Sequence, residues 1–129
     1  MFKAKGTELY QRLGLESQVQ GASPHQLIAL LYNSATAQLE QALLADSQGK
    51  DDVRRKHVAK CLGVIGGLSE SLNFDVASDL PYNLHNLYLY MQGKLVQNQR
   101  QFSKSDCEEI LALLETLSDG WGGIASKVN

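Results

Sequence analysis

The stretch that most constrains this chain is Gly21 to Ala45, GASPHQLIALLYNSATAQLEQALLA. It opens as a helix should. Ser23 is a good N-cap, Pro24 suits the first helical position, and Gln26 completes a capping box. Leu27, Ile28, Leu31, Ala35, Leu39, Ala42 and Leu43 then recur at helical spacing. At about 100° per residue they form one broad apolar stripe. A long helix with so wide a stripe has to dock on other elements, and the remaining segments supply them.

Asp51 to Ser71 predicts a second long helix with Val58, Cys61, Leu62, Val64, Ile65, Leu68 and Leu72 as its stripe. Asp51 and Asp52 suit the positive end of its dipole. Asn73 to Asp79 reads as a loop. Ser78 or Asp79 is the expected cap of a third helix, which tolerates Pro81 in its first turn. Leu80, Leu84, Leu87, Tyr88, Met91, Leu95 and Phe102 fall on one of its faces. Ser105 to Glu108 reads as another capping box, opening a last helix with Ile110, Leu113, Leu114, Leu117, Trp121 and Ile124 on one side. Fraying is expected at Gly120, Gly122 and Gly123.

Met1 to Gly21 is a weaker segment. Thr7 to Leu15 predicts a short helix with Leu9, Tyr10 and Leu13 apolar, interrupted by Gly6, Gly14 and Gly21. Such an arm is a cap on the domain or a partly mobile tail. No β-branched run alternates with period two. The expected fold is therefore all-α, one domain over 1–129: an antiparallel four-helix bundle over 24–126 with an additional short N-terminal helix or arm, 1–20.

A chain of 129 residues buries enough surface to fold without staples. Its net charge of −2 offers no field to draw in nucleic acid or an anionic membrane. No apolar run approaches the roughly 18 residues that span a bilayer, and the N-terminus lacks the apolar core of a signal peptide. Cys61 and Cys107 each lie on an apolar stripe and read as reduced, buried thiols. A bacterial cytosolic protein is the expectation.

Two features exceed what a bundle needs. On the second long helix Ala59, Gly63, Gly66 and Gly67 share a sector of roughly 100° away from the main stripe. Each glycine inside a helix costs about 0.5–1 kcal/mol relative to alanine, so the cluster asks for a reason. A smooth face admits another backbone, either a partner helix or a close crossing within the bundle. On the third long helix Tyr82, Leu89 and Val96 repeat every seventh residue opposite the core stripe, with Gly93 beside them. Partner docking is the expectation for this line, unless the N-terminal segment covers it or the three are scattered exposed apolar residues.

Catalytic signatures are sparse. His57 and Lys60 in HVAKCLG match part of a histidine-phosphotransfer pattern, a histidine followed three residues later by lysine. The glycine that should follow is Cys61, and a solvated helix face accounts for the pair. His57 and Cys61 have a metal-compatible spacing but no further ligands. His25 lies in a first helical turn, and His85 reads as an isolated surface residue. No phosphate loop, nucleophile elbow or zinc signature occurs. Neither an enzyme nor a cofactor is expected. A phosphotransfer bundle working through His57 is the alternative class.

The segment LGLESQVQGASPHQLIALLYNSA resembles the signature of the flagellin export chaperones, the FliS family. Tyr10 and Val19 stand where the family has a tyrosine and a valine. Ala22, Ser23, Pro24, Leu27, Ile28, Leu31 and Tyr32 follow its helix start and apolar block. Leu87, Tyr88, Tyr90 and Met91 match a later motif, and Trp121 its late tryptophan. The departures are Asn33-Ser34, Ala77-Ser78-Asp79, Leu89 between the two tyrosines, Gln97-Asn98, and the glycines around Trp121. The resemblance implies a chaperone that binds the disordered C-terminal segment of flagellin, prevents early polymerisation and serves the flagellar type III export gate. It also implies that the arm around Tyr10 is a displaceable cap over the binding surface. The small-residue face and the Tyr82–Leu89–Val96 seam would then be the grooves.

Overall fold

The computed structural model of the chain describes residues 1–3 and 6–128, with side chains as far as Gly123. Five helices follow one another: α1 (Thr7–Arg12), α2 (Pro24–Ser47), α3 (Asp51–Glu70), α4 (Leu80–Arg100) and α5 (Lys104–Val128), with a 3₁₀ turn at Glu16–Gln18. Helix α2 packs against α3 and α5, and α4 packs against the same two. The four long helices therefore close into a bundle, as the stripes predict. Among the described residues the only β-type pairing is an isolated bridge between Phe2 and Leu72.

The core is the sum of the stripes. Leu31, Ala35 and Leu39 of α2, Val58, Cys61, Ile65 and Leu68 of α3, Tyr88, Met91 and Leu95 of α4, and Cys107, Ile110 and Leu114 of α5 form one buried cluster. Full burial of each large aliphatic side chain contributes about 1.5–3 kcal/mol. Inside the cluster the Tyr32 and Tyr88 hydroxyls meet at 2.6 Å, so two buried polar groups satisfy each other.

The ends of the helices follow local chemistry in part. Ser23 and Gln26 form the expected reciprocal capping box, the Gln26 amide donating to Ser23 Oγ and the Ser23 amide to Gln26 Oε1. Gly49, at φ 70°, supplies the left-handed turn between α2 and α3. Ser78 Oγ accepts from the Leu80 amide, while Asp79 holds the cap position without a side-chain bond.

Four expectations are corrected. Helix α5 is opened by Ser103 rather than Ser105: the Asp106 amide donates to Ser103 Oγ, and Asn98 Oδ1 of α4 accepts the Ser103 amide at 2.8 Å. A residue of the preceding helix thus moves the cap. Phe102 lies beyond α4, with the buried Arg54 guanidinium 4.6 Å over its ring. Leu80 is exposed at 43% because it sits at the very start of α4. Finally, α5 continues through Gly120, Gly122 and Gly123. The Trp121 indole N–H donates to the His25 carbonyl at 2.9 Å, and His25 Nε2–H donates to the Trp121 carbonyl at 2.8 Å. Their rings stack at 4.3 Å. This tertiary clamp overrides the glycines' poor helix propensity. The expected core position Ile124 lies outside the described side chains.

Candidate docking surfaces

The arm is seated, not loose. Leu9, Tyr10 and Leu15 are buried, and Arg12 pairs with Glu70 of α3 at 2.6 Å. The Lys3 amide donates to the Ser71 carbonyl, and the Asn73 amide to the Met1 carbonyl. Phe2 meets Trp121 edge-on at 5.2 Å. Burial raises the Tyr10 pKa.

That arm divides the small-residue face of α3. A Cβ on Gly67 would stand 3.1 Å from Leu13 Cδ1 and 3.4 Å from Leu9 Cδ1, so Gly67 is the seat of α1. Gly66 turns to α4, its nearest neighbour being Gln92 Nε2 at 3.7 Å. Gly63 and Ala59 remain exposed, Gly63 with Leu13 Cδ2 at 3.6 Å from its would-be Cβ. The close crossing within the chain is thus realised for part of the face. Gly66 and Gly67 serve contacts within the chain, and Ala59 and Gly63 face outward.

The seam on α4 is exposed as a line. Tyr82, Leu89 and Val96 are 54%, 51% and 50% exposed, and Gly93 beside them has open space above it. Phe74 of the preceding loop leans on Tyr82 at 4.9 Å, but the N-terminal segment sits elsewhere, on Gly67 and Trp121. Tyr90, also exposed, donates to Glu109 of α5. Gln92 and Gln99 lie one step around α4 and touch α3, Gln99 Nε2 donating to the Arg55 carbonyl.

Sequence reading passed over a further concavity. Between the arm, α2 and α3 lies an open groove of about 700 Å³, with Ala59 and Gly63 in its wall together with Arg12, Lys56 and Lys60. The two lysines were legible as an i, i+4 pair. Their convergence with Arg12 needed the arm's position.

The histidines and cysteines are engaged in the fold. His57 is half-buried and its Nδ1 hydrogen-bonds Gln38 Oε1 at 2.7 Å; burial first, then Lys60 and Lys56, lower its pKa. His85 is not an isolated surface residue. It is half-buried, 3.1 Å from Ser69 Oγ and edge-on to Phe74. Cys61 and Cys107 are free and buried, as expected. Among the described residues no three His, Cys, Asp or Glu side chains are grouped to hold a metal ion. Among them, too, no helix is long and apolar enough to cross a membrane.

Fold and surfaces together define an α-helical bundle with a seated N-terminal arm and two exposed faces, one at Ala59 and Gly63 and one along Tyr82, Leu89 and Val96. Comparison with known proteins narrows this class. The family model described as "Flagellar protein FliS" matches residues 6–128. The chain is 35% identical over 125 residues to the flagellar secretion chaperone FliSB of Pseudomonas aeruginosa, covering 97% of this chain and 99% of that one. It is 32% identical over 130 aligned positions to the flagellar secretion chaperone FliS of Salmonella typhimurium, covering 100% and 96%. With FliS of Escherichia coli K12 the identity is 33% over 122 residues, covering 94% and 90%. The chain belongs to the FliS family.

Proposed function

We propose that this chain is a flagellar secretion chaperone that binds the disordered C-terminal segment of flagellin in the bacterial cytosol. It keeps subunits from polymerising early and helps bring them to the type III export gate. The relatives' function supports the class. The observation that carries the client mode is the Tyr82–Leu89–Val96 line, half or more exposed along the outward face of α4 and left uncovered by the N-terminal segment. A segment that is disordered alone and amphipathic when folded gains apolar burial there and loses ordering entropy on binding.

The arm has a role in the same reading. Helix α1 rests on Gly67 through Leu9 and Leu13, and Leu9, Tyr10 and Leu15 join the buried core. A client that binds the freed surface better than the arm does shifts the chain to an arm-released state. No catalytic group or cofactor enters this function.

The test is calorimetric titration of the chain with a flagellin C-terminal segment. Saturable one-to-one binding with a negative heat-capacity change and new helix in the segment is expected. Leu89→Asp and Gly63→Leu should weaken it tenfold or more at unchanged helical content. Undiminished affinity in both variants removes these faces from the site. No binding by the unaltered chain overturns the reading.

A further inference from the structure

The groove between the arm and the α2–α3 pair has a chemistry of its own. Arg12, Lys56 and Lys60 are among its lining residues and no carboxylate is. Lys56 and Lys60 are both exposed and stand one turn apart on one face of α3. Among the described residues neither is paired with a carboxylate. Arg12 is fixed at the edge by Glu70. Ala59 lies between the lysines, and Gly63 leaves the wall beyond them without a side chain. Burial and then these two lysines lower the proton affinity of His57 beside them. The whole chain carries −2, so this is a local concentration of one sign.

We infer that the groove takes an acidic amphipathic helical segment, its small or apolar side on Ala59 and Gly63 and two carboxylates one turn apart on Lys56 and Lys60. The inference rests on the chaperone reading and makes the flagellin C-terminal segment the occupant. The groove is open while the arm is seated, so an incoming disordered chain meets it without any rearrangement. Charge complementarity at an exposed site acts chiefly on the encounter rate and on register. The lysines steer and align the client, and apolar contacts along α4 retain it.

The experiment uses the full chain and a labelled flagellin C-terminal segment, with affinity and association rate measured at low and high salt. The variants are K56E/K60E, the milder K56Q/K60Q, and R100E/K104E as a control with the same charge change at exposed positions outside the groove's lining. Thermal melts establish that each is folded. K56E/K60E is expected to lose tenfold or more in affinity, mostly through slower association, with K56Q/K60Q between it and the unaltered chain. Rising salt should weaken the unaltered chain, leave K56Q/K60Q nearly unmoved and, by screening repulsion, raise the affinity of K56E/K60E. The control should stay within twofold. If K56E/K60E binds like the unaltered chain, or loses no more than the control, the groove's role is overturned while the chaperone reading stands. If the segment fails to bind even the unaltered chain at low salt, both fall together.

Discussion

Leu13 of the arm rests directly on Gly67 of α3, its Cδ1 only 3.1 Å from where a Cβ on that glycine would stand. One turn away, a Cβ on Gly63 would stand 3.6 Å from Cδ2 of the same leucine. The two glycines share a helix face but have different tasks. At Gly63 a methyl group makes an ordinary van der Waals contact, so the propensity gain is free of strain. At Gly67 it pushes Leu13 and Leu9 off their seat.

Gly63→Ala is therefore expected to raise unfolding stability by about 0.5–1 kcal/mol. Gly67→Ala should fall short of it by about 1 kcal/mol or more, because overpacking offsets the same propensity gain. Gly67→Leu should unseat α1 while the four long helices remain. Urea unfolding and limited proteolysis of the first fifteen or so residues, at the termini where cleavage concentrates, measure this. Equal gains at both glycines would show that the arm yields without cost.

The Tyr32–Tyr88 pair joins α2 to α4 through the core. Burial and their mutual hydrogen bond push the Tyr88 pKa up strongly, and burial also raises that of Tyr32, so both stay neutral hydroxyls. Removing one oxygen leaves the other buried without a partner. Tyr88→Phe or Tyr32→Phe alone should cost about 1–3 kcal/mol, and the double variant should recover part of that loss. Additive losses in a double-mutant cycle would mean that the hydroxyls do not depend on each other.

Local rules carried much of this fold in the sequence. The Ser23–Gln26 box, the loop at Asn73–Asp79 and the stripes, apart from Leu80 and Phe102, are where spacing places them among the described side chains, because they depend on neighbours in the chain. The misses are tertiary. Asn98 moves a cap from Ser105 to Ser103, and His25 holds a helix that three glycines would loosen. A single backbone bridge at Phe2 and Leu72 leaves no period to read. For the candidate surfaces, wheel geometry located Ala59, Gly63, Gly66 and Gly67 on one side of α3. It could not say that Leu13 fills one part, Gln92 another, and solvent the rest.

The cysteines give a pH prediction. Burial, followed by the neighbouring Cys107, pushes the Cys61 thiol up to about 12. Cys107, itself raised to about 11 chiefly by burial, donates to Asn98 Oδ1. In the unfolded chain thiols titrate near about 8.5. Below that value both states hold the protons and these groups add no pH dependence. Above it the unfolded chain releases protons that the folded chain retains, so stability falls as pH rises through about 9 to 12. Neither thiol should react with a disulfide reagent in the native protein at pH 8, and both should react at once in denaturant. Rapid native labelling of Cys61 would show that the α3 face of the core opens readily.

The end of α5 is the sharpest case of tertiary structure holding an unfavourable sequence. Gly120, Gly122 and Gly123 together disfavour helix by about 2–3 kcal/mol relative to alanine. Trp121 answers with the indole bond to the His25 carbonyl, the stack on the His25 ring and the edge contact with Phe2. Trp121→Ala removes all three, and α5 should then fray from about Leu117 onward, losing amide-exchange protection and a small part of the helical signal. His25→Phe keeps a ring to stack but loses the Nε2–H bond to the Trp121 carbonyl, so its protection should fall between those two states. The start of α2 should hold in both, since Ser23 and Gln26 cap it independently. Unchanged protection beyond Leu117 in Trp121→Ala would show that the helix end sustains itself, and the His25–Trp121 clamp would lose its assigned role.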